Sequence, residues 1–517
     1  MSLQFITGNS GNGKTKYLFN RIVKEAKANP RDNYLVIVPE QFTMQTQRQL
    51  VDLSENKAIM NIDVLSFKRL AYRVFDELGI TNLTVLEETG KNLVLRKLAA
   101  HEADKLGVIG RNLNRIGYIS EVKSLLSELV QYNISPEELG RYIASGRLSD
   151  TLSDKLKDVL VLYEAFEKFM QDKYITAEEI LNVLSNVAEE SAILRNSVIA
   201  FDEFTGFTPI QNQLIKKLFV ISKKIYVTLT IDCREDIFKS RGMQELFDMP
   251  KRTVKSLTEM AAFYGIEVEE PIILDKNYRL AENEELSFME QQLFRKRRCS
   301  FKKVPKHIHI DCLRDPKQEL TKIARRINEL VRNENLRYRD IAIVTGDVNI
   351  YAGYVREIFD KYNIPYFIDA TQEILFHPFI EFIRSIPDIA AQNFSADAVF
   401  RFLRCGFSEL LDSEIDVLEN YVLACGVRGK SAWDKKWVRL PKHKAGYDIE
   451  LLNQSREYIM ELLKPVYQVF SDKKSTVKDY VLAIYKLIVL LDIPDKLAKK
   501  EQALLDAGDQ TASKEYG

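Results

Sequence analysis

The sequence predicts an α/β fold, a largely parallel sheet covered by helices and interrupted by large helical insertions. Three observations carry this. Short, wholly apolar runs such as "YLVIVP" (Tyr34 to Pro39) read as parallel strands buried on both faces. They alternate with helical-period segments such as "KYLFNRIVKEAKA". From about Glu87 to Asn186 the text is nearly all helical, and strand patterns return abruptly at "SVIAFDEF" (Ser197 to Phe204) and "KKIYVTLTID" (Lys223 to Asp232).

The 517 residues are too many for one core and suit several domains. Lys+Arg and Asp+Glu both total 74, so the net charge of zero excludes a broadly basic, histone-like surface. A local basic groove stays open. The five cysteines form no C-x-x-C pair and have no His partner at finger spacing, which speaks against a disulfide framework or a zinc site. No apolar run reaches membrane-spanning length and the N-terminus enters a strand pattern directly, so a cytoplasmic protein is expected. The polar ending "DKLAKKEQALLDAGDQTASKEYG" closes no domain, so the chain reads as a fragment of a longer one.

The opening reads strand "LQFIT", Gly-rich loop, then helix. The run "IMNIDVLSF" leads into the helix "KRLAYRVFDELG", stopped by Gly79. These segments predict a first domain over 1–85 plus 190–290, split by a helical insertion over 86–189. A basic connector, "FRKRRCSFKKVPK" (Phe294 to Lys306), follows. A second βαβαβ unit is predicted next, with strands "HIHIDCL", "DIAIVTG" and "IPYFID" around two helices. It spans 291–395, and a second helical segment spans 396–517.

The segment Gly8-Asn9-Ser10-Gly11-Asn12-Gly13-Lys14-Thr15 satisfies G-x-x-x-x-G-K-[ST], the P-loop or Walker A pattern. Its glycines let backbone N–H groups wrap phosphates, Lys14 reaches the β/γ-phosphates of ATP, and the Thr15 hydroxyl suits Mg²⁺. "VIAFDEF" has the form of its partner, an apolar strand ending in Asp202 for Mg²⁺ and Glu203 to polarise an attacking water. Arg295, Lys296, Arg297 and Arg298 are candidates for DNA phosphate contacts, set against a solvated basic linker. Tyr72 and Tyr278 are candidate base stackers, with core packing as the plainer alternative. His307 and His309 share one face of a predicted strand but have no further ligand at matching distance, so an ordinary strand is expected. Trp433 and Trp437 are spaced for one helical face and for packing.

Beyond these patterns, "FDEFTGFTPIQNQLIKKL" resembles the DEXX-box segment of UvrD/Rep-type superfamily 1 helicases, built on P-loop NTPase (RecA-like) lobes. "LDKNYRL" resembles that family's Asn-Tyr-Arg motif, which implies that Arg279 touches the γ-phosphate. "VLSFKRLAYRVF" resembles its DNA-contacting motif, which implies DNA contacts at Ser66 and Phe67. Departures accompany the matches. The adenine-reading glutamine motif is missing, and "TIDCREDIFKSRG" stands at the Gly-Asp…Gln coupling motif with only Asp232 kept. "IVTGD" lacks the Arg expected near Gly346, and the late motifs with the arginine finger are absent.

"FITGNSGNGKT", "IVPEQFTMQTQRQL" and "FDEFTGFTPIQ" together resemble the B subunit of the bacterial ATP-dependent helicase/nuclease, the AddB or RexB type. The resemblance covers the family's helicase-like N-terminal half. It implies ATP and Mg²⁺ as cofactors, and an iron–sulfur cluster only in the nuclease half outside this chain. The implied partners are DNA and the A subunit of the same helicase/nuclease, in a heterodimer. The implied role is resection of DNA breaks, with this half scanning single-stranded DNA. A DNA-reading scaffold that binds ATP without being an autonomous motor is therefore expected. A self-sufficient DNA-dependent ATPase or helicase is the alternative, and an unrelated nucleotide-sensing switch a third.

Overall fold

Ser2–Gly8 form β1, whose side chains alternate between two cores: Leu3 and Phe5 enter one, and Ile6 the other. The same alternation runs along β2 (Tyr34–Ile37), reached through α1 (Lys14–Ala28). It recurs in the strand Val198–Phe201, which is why the strands read as uninterrupted apolar runs. After β2 come α2 (Thr43–Leu53), β3 (Ile62–Leu65) and α3 (Phe67–Leu78). The chain then leaves the sheet through β4 (Val85–Leu86), α4 (Glu88–His101), α5 (Ile116–Gln131), α6 (Pro136–Ala144) and α7 (Asp150–Met170). It returns through β5 (Ile175–Thr176), which pairs with β4, and α8 (Ile180–Val187). Then follow β6 (Val198–Phe201), α9 (Pro209–Ile221), β7 (Lys224–Thr230), α10 (Asp248–Phe263), β8 (Glu267–Val268), β9 (Ile272–Leu274) and α11 (Glu284–Gln292).

In this computed structural model the described residues are all of 1–517 except 82, 109, 111–115, 147, 172–173, 296–298, 370–373 and 442–446. The main sheet runs β3-β2-β6-β7-β1-β8, with β9 also on β1, and every pairing is parallel. One face carries α1 and Leu50 of α2; the other carries α3, α8, α9 and α10. The helix starts are chemically specified. Thr208 and Gln211 close a capping box around Pro209 at the start of α9, and Ser66 caps α3. The inserted helices α4 to α7 have their own core of Leu95, Leu126, Leu162 and Phe166, whereas α8 belongs to the sheet core through Ile180 and Leu184.

The chain divides into two units, Met1–Ile310 and Asp311–Gly517. The second is helical: α12 (Pro316–Asn333), α13 (Val348–Lys361), α14 (Pro378–Ala391), α15 (Ala396–Leu403), α16 (Asp412–Cys425), α17 (Lys430–Asp434), α18 (Ile449–Ser471), α19 (Val477–Leu490), α20 (Ile493–Asp506) and α21 (Gln510–Tyr516). The two helices expected between strands are present as α12 and α13. The three flanking strands are not formed among the described residues, so His307 and His309 do not lie on a strand. The run Ile341–Val344 shows the reason, with Val344 93% exposed: an apolar stretch without a ladder partner has nowhere to place its N–H and C=O groups in register. Trp433 lies in α17 and Trp437 beyond its end, so they do not share a helix. Both are nonetheless buried, with ring centroids 5.3 Å apart.

Candidate nucleotide-binding site

Because β1, β6 and β7 are parallel neighbours, the loop after β1 and the turn after β6 open at the same carboxyl edge of the sheet. The loop climbs from Gly8 to Gly13, which caps α1 at φ 80°, and Lys14 and Thr15 occupy the first turn. The loop's amides and the positive end of α1 therefore converge there. Gly11 sits at φ 88°, and a Cβ on it would lie 2.8 Å from Arg279 Cβ and 2.9 Å from Asn277 Oδ1. Backbone shape and close approach both require glycine.

Asp202 and Glu203 face this loop from the end of β6. Asp202 is 1% exposed, and one carboxylate oxygen accepts a hydrogen bond from the Thr228 hydroxyl of β7. The other oxygen, Oδ2, is buried without a protein partner. Burial, with the neighbouring Glu203 charge, pushes this carboxyl up from its ordinary value against the Thr228 hydrogen bond. Glu203 stands at φ 65°, and the Thr15 hydroxyl donates to its Oε1 at 3.3 Å. Burial pushes the Lys14 amine down, opposed by Glu203 and Asp202. Lys14 Nζ donates to the Gly8 and Asn9 carbonyls at 3.1 and 3.0 Å.

Residues 275–279 lie across the loop as a strap. Asn277 Nδ2 donates to the Ser10 carbonyl at 2.8 Å, Tyr278 N–H to the Gly11 carbonyl at 3.0 Å, and Arg279 Nη1 to Ser10 Oγ at 3.4 Å. Between loop, strap and the ends of β6 and β7 lies a cleft of about 710 Å³ lined by Lys14, Thr15, Asp202, Glu203, Tyr278 and Arg279. Tyr278, 66% exposed, lines this cleft instead of packing in a core. Two cationic side chains and a helix start suit a polyphosphate. The partnerless Asp202 oxygen beside the Thr15 hydroxyl suits a hard divalent cation.

Asn9 and Asn12 are anchors of the loop and do not line the cleft. Asn9 Oδ1 accepts from Cys233 N–H at 2.9 Å and its Nδ2 donates to Glu290 at 2.7 Å; Asn12 Nδ2 donates to the Leu274 carbonyl at 2.6 Å.

The DNA candidates fare differently. Phe67 is 7% exposed and packs among Phe201, Phe204 and Phe207, with centroids 5.6 to 6.3 Å away, so it is a core residue here and not a base platform. Ser66 is 4% exposed, caps Arg69 N–H and donates to Glu40, so its hydroxyl is already engaged. Arg295 is not on a solvated basic strip: its guanidinium pairs with Asp232 at 2.9 Å and lies 4.9 Å from the Phe247 ring centroid. Lys296, Arg297 and Arg298 lie outside the described residues. Sequence reasoning missed Thr228, Asn277, Glu290 and Glu40. Glu40 was signalled by the "VPEQFT" word, since its carboxylate holds both Ser66 and Arg69.

A P-loop, an aspartate–glutamate pair two strands away at the same sheet edge, and an Asn-Tyr-Arg strap on a parallel sheet define a RecA-like P-loop protein of helicase type with helical insertions. The family model described as "ADDB, N-terminal" matches residues 5–290, more than half of the chain, and the chain belongs to that family. It is similar over its whole length to the B subunit of the ATP-dependent helicase/deoxyribonuclease of Lachnoclostridium phytofermentans, at 38% identity and 46% of that relative's length. Proteins of the same name from Clostridium novyi and Clostridium acetobutylicum are 30% and 31% identical over all of this chain, covering 45% of each. The chain thus spans a little under half the length of the curated relatives it matches. Among the described residues, no helix is long and apolar enough to cross a membrane.

Proposed function

We propose that this chain is the nucleotide-binding, DNA-engaging scaffold of an AddB-type subunit that works with its A-type partner in an ATP-dependent helicase/deoxyribonuclease. In this reading it binds ATP without being an autonomous motor. The observation that carries nucleotide binding is the convergence of Lys14, Thr15, Asp202, Glu203 and Arg279 on one cleft at the carboxyl edge of the sheet. Lys14 and Arg279 would neutralise the triphosphate, and the loop amides would orient it. Thr15 and Asp202 would hold Mg²⁺, which supplies charge neutralisation at the phosphates. Glu203 is placed to orient water.

The motor is doubted on different grounds. Asp232, the surviving member of the coupling segment, is fully engaged by Arg234 and Arg295. The two residues expected to touch DNA from this lobe, Ser66 and Phe67, are buried.

Titration with a fluorescent ATP analogue, followed by DNA-stimulated phosphate release, tests both halves of the proposal. Binding should weaken at least about tenfold in Lys14→Ala, with turnover near background in the intact chain. Robust turnover that depends on both DNA and Lys14 would establish the autonomous ATPase instead, the alternative favoured by Asp202 and Glu203 standing in place.

A further inference from the structure

The neighbourhood of Asp232 ties the P-loop to the start of the basic connector through an unbroken chain of polar contacts. Asp232 follows closely on the β7 edge, and Ile231 N–H donates to the Gly8 carbonyl at 3.3 Å. Cys233 N–H is received by Asn9 Oδ1 at 2.9 Å, and the other end of that side chain donates to Glu290 of α11 at 2.7 Å. Arg234 binds Asp232 through Nε at 2.8 Å and Nη2 at 2.6 Å, and also donates to the Gln291 carbonyl of α11 at 3.1 Å. Arg295, just beyond the end of α11, closes the arrangement on Asp232 at 2.9 Å.

Two features make this a built device and not a surface ion pair. Asp232 is 1% exposed and the Arg295 side chain 14%, so solvent screens the pair poorly. Burial alone would raise the Asp232 carboxyl, but the Arg234 hydrogen bonds and the two guanidinium charges outweigh it and hold the group below the usual carboxylate range. Asn9 is also placed at the point of exchange. Its carbonyl accepts Lys14 Nζ, while its side chain holds Cys233 and Glu290. A phosphate that draws Lys14 away from that carbonyl changes the load on the same residue that anchors the far contacts.

We infer that Asn9, Asp232 and Arg295 form a relay that couples nucleotide occupancy of the P-loop to the order of the connector beginning at Arg295. Arg295 is a positioning residue: it touches no nucleotide and acts through Asp232 and Asn9. This rests on the proposed ATP binding and goes beyond it, because it assigns the occupied site an output. Linkage requires the coupling to be reciprocal, so breaking the far end must change affinity at the near end.

The test uses the full chain. Affinity for a fluorescent ATP analogue is measured for the native protein, Arg295→Gln, Arg295→Lys, Asn9→Ala and Lys14→Ala. Hydrogen exchange of the amides of 291–310 is followed with and without nucleotide, and circular dichroism checks each fold. Arg295→Gln should weaken binding about five- to tenfold, within the usual range of coupling. Arg295→Lys should restore part of the loss. Nucleotide should slow exchange in 291–310 of the native chain and leave it unchanged in Arg295→Gln and Asn9→Ala. If nucleotide binds the native chain and Arg295→Gln equally, or binding leaves exchange at 291–310 untouched, the relay is overturned while ATP binding stands. If the native chain binds no nucleotide, the proposed function falls and the relay with it.

Discussion

Thr228 and Asp202 meet across neighbouring strands, and their hydrogen bond leaves the second Asp202 oxygen buried and partnerless. The site therefore holds a carboxylate that burial disfavours, with its pKa raised. In sign, a raised folded-state value means that the charged form costs stability above it and that the cost disappears once the group is protonated. Asp202→Asn should stabilise the nucleotide-free chain at neutral pH by about 1 kcal/mol, a melting shift of roughly 2–4 °C. The advantage should vanish as pH falls to the ordinary aspartate range near about 4. Melting curves over pH check this, and magnesium-dependent nucleotide binding should be lost in the same variant.

Phe67 is predicted to act on stability. Phe67→Ala removes a ring packed against Phe201, Phe204 and Phe207 and should cost about 3–5 kcal/mol. Denaturant unfolding measures it. A variant that kept native stability while losing DNA affinity would return Phe67 to the DNA surface.

Glu40 ties the "VPEQFT" turn to the start of α3 by receiving Ser66 Oγ and Arg69 Nε. The Ser66 hydrogen bond foremost, with Arg69, lowers its pKa despite partial burial. A lowered value contributes stability that is present above the unfolded-state pKa and lost as pH falls through the folded one. Because the Glu40 side chain is 56% exposed and solvent screens its partners, Glu40→Gln should cost only about 0.5 kcal/mol at neutral pH, and the penalty should shrink below about pH 4 in parallel unfolding curves.

In the inserted helices, Lys91 is 2% exposed and its ammonium meets Glu178 at 2.7 Å and Glu88 at 2.9 Å. Burial alone would lower the lysine, but these hydrogen bonds outweigh it and raise its pKa. Lys91→Met strands the Glu178 carboxylate, itself 11% exposed, and should cost about 3–5 kcal/mol. Adding Glu178→Leu should recover most of that loss, as a double-mutant cycle by calorimetry would show.

Gly11 cannot gain a side chain without moving the strap. Gly11→Ala forces a Cβ to 2.8 Å from Arg279 at a left-handed φ and should cost about 1–2 kcal/mol. Faster proteolytic cleavage at 275–281 is the accompanying signature.

The residues that converge on the candidate cleft were legible because their pattern is local: the P-loop word is one short unbroken stretch, and Asp202-Glu203 ends a recognisable strand. Arg279 was reached through its motif and does lie on the cleft. Ser66 and Phe67 misled for the opposite reason. What buries Phe67 is contributed by three phenylalanines beyond residue 200, and what occupies Ser66 is a glutamate well upstream, so no local pattern shows either. Arg295 read as one of four basic residues in a row, and only the fold brings Asp232 beneath it. The strands of the second unit failed because apolar content specifies burial, while a ladder needs a neighbour.

The pairing of β1 carries a cost in time. Its partners are β7, β8 and β9, so the strand that launches the P-loop has no neighbour until residue 224 and beyond exist. At ordinary rates of synthesis β1 waits on the order of 10–40 s for its first partner, an apolar strand with both edges open. Meanwhile β2 and β3 pair with each other, and the inserted helices complete their own core. Vectorial synthesis thus leaves an early-made strand to be finished late, with its backbone edges exposed to non-native pairing in the interval.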